Sequence, residues 1–476
     1  MAGITGIGSG MDISGIVKAL VNAERAPKDA QLARLEKAST TKFSALGQLK
    51  SSISDLQTAL KDLNKESLFD KRTATSSNTA MVTGSATTNA LAGVYQVEVK
   101  GLASASKVAT QSMASTTTLA SGGSLQVRLG ADGEATDVAL SAGDDLVAVR
   151  NKLNEALKDK GISANIVNDP AGGTSRLVLT SKETGAGKDV YIETADAALS
   201  NLRIGSIDRT DPDNPVGSLA AVSGAAAGFL TRATDAEFTV DGLTLFSPTN
   251  TVSNAIPDVT LDLLAKTEAG KPLTVTVGQD TAGVKSTVKK FVDAYNKLIT
   301  TSNQLTNVTK VGDSAPVVGG LVGDATVRTL VNGVRSELGS SSSGETIKTL
   351  ADLGITTQRD GTLKIDDARF DKQLAANYDA MAGFFTGEQG LMNRLDKRIS
   401  GYVQAGGVLE QRMNSLQATI KDVDKQKDAL DLRMTKVQDR LLKQFNAMGS
   451  LVGQLNSTSD RLAQALKSLP GVVKGE

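Results

Sequence analysis

The sequence predicts an α+β multidomain fold, in which long terminal helices form a coiled coil and a helical leg, with β-rich head domains inserted between them. Two observations support this prediction. Apolar residues near both ends of the chain recur alternately three and four positions apart, as in a helix that packs along a partner helix. Between the two ends the chain is rich in Thr, Ser, Ala and Gly, and short runs alternate apolar and polar residues as half-buried strands do.

The composition argues against several classes of protein. The 52 Lys and Arg residues equal the 52 Asp and Glu residues, so no basic excess is present to hold nucleic acid or an anionic membrane. Cys and His are absent, so the usual zinc, iron and copper ligand sets cannot be built, and the commonest general base is missing. We therefore predict a protein that is not an enzyme and that needs no metal or cofactor.

The N-terminal region predicts a short amphipathic stretch and then a long helix. We expect Asp12 to cap the short stretch and Pro27 to lie in the first turn of the long helix. Residues 1–24 lack a charged start followed by an apolar core, and no segment reaches the roughly 18 to 20 apolar residues of a membrane span. We expect no membrane insertion and no cleaved signal peptide. Because no strand precedes Gly6-x-Gly8-x-Gly10, we expect a flexible terminus there that orders on assembly rather than a dinucleotide loop.

The middle of the chain alternates strand-like and helix-like segments. The alternation at 95–99 predicts a strand, and a capping box at 141–144 predicts a helix over 146–157. Helical periodicity returns over 284–298 and 324–338. Asp360-Gly361 predicts a hairpin turn, and Asp366 or Asp367 is expected to cap a further helix. Further strands are predicted at 164–167, 176–180, 190–193, 237–240, 243–246, 259–263 and 273–277.

Two apolar seams form the candidate assembly site. Their spacing averages about 3.5 residues, which favours a coiled coil over a helix lying on a globular core, where the apolar face would be wider. Neither helix can bury its apolar side chains alone. We therefore expect the two seams to pair with each other, with further copies of the chain or with a related helical protein. Lys427 and Gln444 interrupt the second seam, and we expect these interruptions to make release easier. The first seam comprises Leu32, Leu35, Leu46, Leu49, Ile53, Leu56, Leu60 and Leu63. The second comprises Leu409, Met413, Leu416, Ile420, Val423, Leu430, Met434, Val437, Leu441, Met448, Leu451 and Leu455.

These patterns together predict four domains. The first, residues 1–42 with 435–476, is a terminal coiled coil that stays disordered until assembly. The second, residues 43–92 with 278–434, is the helical leg. The third, residues 93–125 with 228–277, is a β-rich head domain, and the fourth, residues 126–227, is a second β-rich head domain.

Two short motifs could carry chemistry, but neither has the required context. Ser104-x-x-Lys107 matches the Ser/Lys nucleophile spacing, although the accompanying Lys-Thr-Gly and Ser-Asp-Asn elements are absent. Asp211-x-Asp213-Asn214 has the spacing of a calcium loop, but the Gly and the terminal Glu of an EF-hand are missing, and a turn is the better interpretation.

Several segments, taken in order, resemble the bacterial flagellar filament-capping protein family, also called hook-associated protein 2. The resemblance covers nearly the whole chain, although 105–140 and 196–235 match weakly. The segment 146–194 resembles a module shared with some flagellins. The matching segments are Gly8-Ser9-Gly10-Met11-Asp12-Ile13, Ala23-Glu24-Arg25-Ala26-Pro27, Gly93-Val94-Tyr95-Gln96-Val97-Glu98-Val99, Phe238-Thr239-Val240-Asp241-Gly242, Phe291-Val292-Asp293-Ala294-Tyr295-Asn296 and Leu353-Gly354-Ile355 with Asp360-Gly361-Thr362-Leu363.

The resemblance implies a homo-oligomeric ring of five or six subunits at the distal tip of the extracellular flagellum. Such a cap retains exported flagellin and promotes its folding and polymerisation during filament elongation. The partners that the resemblance implies are further copies of the chain, flagellin, the hook-filament junction proteins and a cytoplasmic export chaperone. Export then needs no cleaved signal peptide.

Three alternatives remain open. The chain could be a hook-filament structural subunit without a capping role. It could be an adhesin whose exposed head binds host mucin or glycans, a role that is compatible with capping. The third is a hydrolase that uses Ser104 and Lys107.

Overall fold

The computed structural model describes residues 12–211, 214–309, 316–341 and 346–467. The chain divides into two compact units. The helical unit comprises Met1–Phe69 and Thr281–Glu476, and the β-rich unit comprises Asp70–Asp280. The predicted α+β multidomain class, with long terminal helices and inserted β-rich parts, is confirmed. Among the described residues, no helix combines the length and the apolar character needed to cross a membrane.

Long helices begin and end the described chain, and most of the remaining helices follow the β-rich unit. The helices are α1 (Ile13–Leu63), α2 (Glu66–Asp70), α3 (Leu146–Leu157), α4 (Thr281–Thr306), α5 (Ala325–Gly339), α6 (Asp367–Ala376), α7 (Tyr378–Phe385), α8 (Leu391–Val403) and α9 (Val408–Lys467), with a short 3-10 helix at Ala197–Leu202.

The N-terminal helix differs from the prediction in one respect. Asp12 caps it as predicted, since its carboxylate accepts a hydrogen bond of 2.9 Å from the Gly15 N–H. However, α1 is one continuous helix of 51 residues, so Pro27 lies inside it rather than in its first turn. Pro27 and the preceding turn at Ala23 are exposed. Proline has no N–H to donate to the Ala23 carbonyl, so water can donate to that carbonyl instead. The glycines at 6, 8 and 10 lie outside the described residues.

The core of the helical unit combines the second half of α1 with α4, α5 and α8. Its largest fully buried side chains include Phe291, Tyr295, Phe370 and Phe385. Aspartates cap α5 and α6 at Asp324 and Asp366. The predicted turn at Asp360-Gly361 joins two short strands, and Gly361 has a φ of 88°, which favours glycine.

The strands in the described residues are short, and almost all belong to the β-rich unit. They are β1 (Arg72–Ser76), β2 (Val82–Ala86), β3 (Gly93–Gly101), β4 (Ala105–Ala109), β5 (Met113–Ala114), β6 (Gly123–Leu129), β7 (Thr136–Leu140), β8 (Ile162–Asp169), β9 (Thr174–Thr184), β10 (Val190–Glu193), β11 (Ser206–Asp208), β12 (Val216–Ser218), β13 (Gly228–Thr231), β14 (Ala236–Val240), β15 (Leu243–Ser247), β16 (Thr251–Ile256), β17 (Val259–Leu263), β18 (Leu273–Gln279), β19 (Val308–Thr309), β20 (Val317–Val318), β21 (Ile355–Thr357) and β22 (Leu363–Ile365).

Two hydrophobic clusters organise the β-rich unit. One lies between a five-stranded sheet, of order β1-β18-β3-β14-β15, and the three-stranded sheet β16-β17-β2. The other is covered by α3, by the sheet β10-β6-β7, and by the sheet β13-β4-β9-β5 with β8 paired to β9. Neighbouring strands of these sheets pair antiparallel. Asp241 and Gly242, with φ of 49° and 84°, form the two-residue turn between β14 and β15.

The predicted strands and helices of the middle region are confirmed, whereas several strands in the Ser- and Thr-rich segments were missed. The helix over 146–157 is α3, but its cap is Asp145. Asp144 instead accepts a hydrogen bond from the Ser141 N–H, which is half of the expected capping box. The four-domain division stays a prediction. Residues 70–92, which it assigned to the helical leg, lie in the β-rich unit, because β1 pairs with β18 and β2 pairs with β17.

Candidate assembly interface

The first part of α1 packs against the middle of α9 around a small apolar cluster of its own. Leu441, Leu442 and Phe445 pack partly buried against this cluster. Its buried members come from both helices: Ile13, Val17, Val21 and Leu32 from α1, and Val423, Leu430, Met434 and Val437 from α9.

Three ion pairs fix the direction of this helix pair. The Arg25 guanidinium lies 2.7 Å from the Asp431 carboxylate, and Arg433 lies 3.3 Å from Glu24. Glu36 pairs with Lys427. Because residue numbers rise along α1 while those of its partners fall along α9, the two helices are antiparallel. The ion pairs are at least a third exposed, so they set register more than they stabilise the pair.

The interruption of the second seam at Lys427 has a matching partner. Its ammonium group binds Glu36 of α1, and this hydrogen bond raises the pKa of the lysine. Gln444, the other interruption, is exposed. Lys427 is therefore a polar contact between the two helices, not an unpaired defect of the seam.

Most of the first seam lies within the core of one copy. Leu32 joins the cluster between α1 and α9, and Leu35 is 43% exposed. The other six residues pack among α1, α4 and α8, in the core of the helical unit rather than along a two-helix seam. These six are Leu46, Leu49, Ile53, Leu56, Leu60 and Leu63.

The second seam divides into three parts. Leu409 is buried in the core of the helical unit, with Met413 and Leu416 packed against it and Ile420 half-buried beyond them. The middle part packs against α1, and it comprises Val423, Leu430, Met434, Val437 and the partly buried Leu441. The last part is exposed, and it continues at heptad spacing beyond the predicted seam. We call this last part the α9 stripe: Met448, Leu451, Leu455, Leu462 and Leu466.

Sequence reasoning missed two features of this region. Ile13, Val17 and Val21 belong to the same helix pair as Leu32, but the expected break at Pro27 separated them. Leu462 and Leu466 extend the α9 stripe; the seven-residue step from Leu455 to Leu462 was the available signal, and polar residues at 456–460 obscured it.

Ser104, one of the two residues considered for nucleophilic chemistry, has structural hydrogen-bond partners. The Ser104 hydroxyl donates to the Arg232 carbonyl at 2.7 Å and lies 2.8 Å from the Thr234 hydroxyl. Lys107 is an exposed residue of β4. No group of three or more acidic side chains suited to a metal ion occurs among the described residues. Two residues of the Asp211 turn, 212 and 213, lie outside the described part.

Sequence profiles of three families match the chain. The flagellar hook-associated protein 2 N-terminus matches residues 9–106, and the corresponding C-terminus matches residues 233–457. The flagellin hook IN motif matches residues 125–183, which overlaps the flagellin-like segment noted in the sequence.

Curated proteins and solved structures agree with these profiles. The A-type flagellar hook-associated protein 2 of Pseudomonas aeruginosa is 53% identical, over 99% of this chain and 98% of the relative. Flagellar hook-associated protein 2 of Escherichia coli K12 is 31% identical, over 97% of each chain. The crystal structure of the flagellar cap protein FliD D1-D2-D3 domains from Escherichia coli superposes with a TM-score of 0.54 at 29% identity, covering 78% of this chain and 99% of that one.

Proposed function

Because the chain belongs to the flagellar hook-associated protein 2 family, the family of flagellar cap proteins, we propose that it forms a homo-oligomeric cap at the distal tip of the filament. The family membership confirms the resemblance noted in the sequence. The family is a structural one, so its physical task is to hold and release other chains rather than to catalyse a reaction.

The α9 stripe is the observation that carries the proposal. Its leucines are exposed: Leu451 by 58%, Leu455 by 62% and Leu462 by 58%. Leucines that repeat at heptad spacing favour burial against another helix, and no described helix of the same copy covers them. The stripe therefore supports docking onto helices of other copies or of flagellin at the filament end.

We further propose that the cap retains exported flagellin and promotes its folding and polymerisation. The α1/α9 pair supports this role because its apolar cluster is small and its ion pairs are exposed. A contact of this kind can separate and re-form at low cost as each subunit is added. The polar contact between Lys427 and Glu36 belongs to this surface.

The proposal is tested by complementing a strain that lacks the gene. We expect Leu451→Asp with Leu455→Asp to abolish filament elongation and to release monomeric flagellin into the medium, because charges on the α9 stripe prevent helix docking. Electron microscopy of filament length, motility and immunoblots of the medium are the readouts.

The matched control is Leu264→Asp, which alters a leucine of the β-rich unit that is 52% exposed. It should leave filaments and motility unchanged. Filaments of normal length in the double variant, at wild-type protein level, would show that the α9 stripe has no part in capping.

The remaining partners stay predictions. They are the hook-filament junction proteins, the export chaperone and, for an adhesive head, mucin or other glycans. The deletion strain separates adhesion from capping: an adhesin without a capping role would leave filaments intact in its absence.

A further inference from the structure

The five-stranded sheet of the β-rich unit ends in an open edge strand. This strand is β15, and among the described strands it pairs only with β14. Its five residues carry no charge, and its register with β14 runs without a bulge. Charged side chains, prolines and bulges are the devices by which proteins keep an edge strand from pairing with another chain. β15 has none of them along its length, and Pro248 follows its last residue.

The hairpin of β14 and β15 decides which backbone groups of β15 stay free. Its two-residue turn makes Val240 and Leu243 a hydrogen-bonded pair, and bonding to β14 alternates along the strand from there. Thr244 and Phe246 therefore direct their N–H and carbonyl groups away from β14. No group in the part of the chain that the structure describes takes these hydrogen bonds.

Another edge strand of the same unit is closed by a side chain. Ala164 of β8 also directs its N–H and carbonyl away from its neighbouring strand, and the Asn154 amide bonds both groups, at 2.7 and 2.9 Å. Among the described residues, no side chain does the same for Thr244 or Phe246. The open groups are thus a property of β15 and not of every edge in the unit.

β15 also presents apolar side chains on both faces of the sheet. Leu245 packs partly buried against the hydrophobic cluster of the two facing sheets. Leu243 lies on the same face, because it is two residues away, yet it is 71% exposed. Phe246, on the opposite face, is 66% exposed. A strand added beside β15 would cover these side chains while it satisfied the free backbone groups.

We propose that β15 of one copy pairs antiparallel with β15 of a second copy, about a two-fold axis. Thr244 of each copy then lies opposite Phe246 of the other, so that every free N–H meets a free carbonyl. Leu245 lies opposite Leu245 of the second copy, in the non-hydrogen-bonded kind of pair that brings side chains closest.

Length and charge favour a second copy over an extended segment of another protein. The turn at Gly242 ends the open edge on one side, and Pro248, which has no N–H, ends it on the other. A second β15 offers a free edge of the same length with the same groups. Asp241, the charged residue nearest to the strand in sequence, falls opposite Thr249 of the second copy, so no like charges meet.

The proposed contact is isologous, since both copies use the same surface. It joins copies two by two and leaves no free edge for a third copy. It is therefore distinct from the contacts that close a ring, and it goes beyond the proposed capping role without depending on it.

The absence of cysteine from the chain allows a disulfide test of this pairing. Full-length Leu245→Cys chains are incubated with oxidised glutathione, and dimers are measured on non-reducing gels. The two Cα atoms of such a pair lie about 4.5 Å apart, which suits a disulfide. We expect dimers to form at least about tenfold faster than with Val94→Cys, because pairing raises the local thiol concentration. Val94, on β3 of the same unit, is 63% exposed.

Leu243→Cys separates strand pairing from simple exposure. Leu243 is more exposed than the half-buried Leu245, but in the proposed register it lies opposite Ser247 of the second copy. We expect Leu243→Cys to dimerise at least about tenfold more slowly than Leu245→Cys, since its two thiols are held apart. Random collision would give the opposite order.

A proline provides a second readout. Thr244→Pro removes a free N–H without breaking a bond to β14, and it should halve the mass of the largest species in analytical ultracentrifugation. Thr244→Ala keeps the N–H and should leave that mass unchanged. Thermal melting by circular dichroism checks that both variants fold, and the disulfide rates decide the question if Thr244→Pro does not.

Three results would overturn the pairing. They are equal disulfide rates for Leu245→Cys and Val94→Cys, faster dimerisation of Leu243→Cys than of Leu245→Cys, and a folded Thr244→Pro chain with the mass of the wild type. None of them would alter the test of capping, because the α9 stripe belongs to the helical unit.

Discussion

Three asparagines hold distant backbone segments in place with the same pair of hydrogen bonds. In each case the side-chain amide donates to a backbone carbonyl, and its oxygen accepts from the N–H of the same residue, at 2.6 to 2.9 Å. The amide thus replaces a neighbouring strand, and it satisfies backbone groups that would otherwise lose their partners. The pairs are Asn154 with Ala164, Asn250 with Ala103, and Asn296 with Leu363.

Replacing Asn296 should loosen the hairpin of β21 and β22. We expect Asn296→Ala to lower the free energy of unfolding by about 1 to 3 kcal/mol, because the Leu363 N–H and carbonyl lose their partners. Asn296→Asp should be worse at pH 7, since a carboxylate would face the Leu363 carbonyl. Urea unfolding measures both. Asn414→Ala, at an exposed position on α9, should change the value by less than about 0.5 kcal/mol. Equal effects at the two positions would show that the pair of hydrogen bonds between Asn296 and Leu363 does not stabilise the hairpin.

Asp324 links helix capping to the packing of α9. Its carboxylate caps α5 and also accepts two hydrogen bonds from Arg412, at 3.0 and 2.5 Å. The hydrogen bond from Arg412 is the main cause of its lowered pKa, with the charge of Arg412 and the helix N–H groups adding to it. The carboxylate is only 11% exposed, so this pair is shielded from water more than most in the molecule.

This pair should make stability depend on pH. A lowered pKa contributes stability above the ordinary value of 3.8, and that contribution is lost as the pH falls through the lowered value. We expect Asp324→Asn, which can still cap the helix, to cost about 1 to 3 kcal/mol at pH 7. The difference in the free energy of unfolding between this variant and the wild type should shrink below about pH 3.8. Urea titrations at pH 7 and at pH 3 measure it. Asp62→Asn, which breaks an exposed pair with Lys65, should have little effect at either pH.

At the scale of elements, α1 and α9 each belong to two environments. The second half of α1 and the start of α9 lie in the large core of the helical unit, whereas their other parts share a small cluster. Opening of the small cluster exposes few apolar side chains, so it should occur far more often than global unfolding.

A charge in the small cluster should open the helix pair selectively. Val423 is fully buried there, and we expect Val423→Asp to abolish hydrogen-exchange protection in 13–32 and 430–445. Protection of α4 and α8 should remain. Exchange measured by mass spectrometry tests this, with Gln417→Asp at an exposed position of α9 as the control. If Val423→Asp instead unfolded the whole helical unit, the two clusters would be one cooperative structure.

At the scale of the whole molecule, the β-rich unit is an insertion whose two ends meet. Arg72 pairs with Gln279 at the ends of β1 and β18, and the Asp280 N–H donates to the Lys71 carbonyl at 3.0 Å. Neighbouring chain ends and separate hydrophobic clusters are properties of a segment that can fold without its flanking chain.

The fragment 70–280 should therefore fold alone. We expect a cooperative thermal transition by circular dichroism, because every strand pairing of the unit is present. The control fragment 93–280 starts at the boundary predicted from the sequence. It should melt at a lower temperature or stay unfolded, since β18 loses β1 and β17 loses β2. If 93–280 were as stable as 70–280, the predicted boundary would be the better one.

Part of the candidate site was accessible from the sequence alone. The heptad spacing located the residues of α1 and α9 that bury apolar surface, and Asp12 and Asp324 marked helix starts. The spacing did not separate core positions such as Ile53 from exposed ones such as Leu451. Both satisfy the same repeat, and only the neighbours that arrive from elsewhere in the chain distinguish them.

The sequence by itself determined the helical ends, the β-rich middle and the family, because periodicity, capping and motif order are written in consecutive residues. The tertiary structure decided which part of each seam is buried within one copy. It also decided that β1 pairs with β18, which lies at the other end of the β-rich unit in sequence, and that Lys427 forms an ion pair with Glu36. These depend on contacts between distant segments, and burial is a property of the packed molecule rather than of any local pattern.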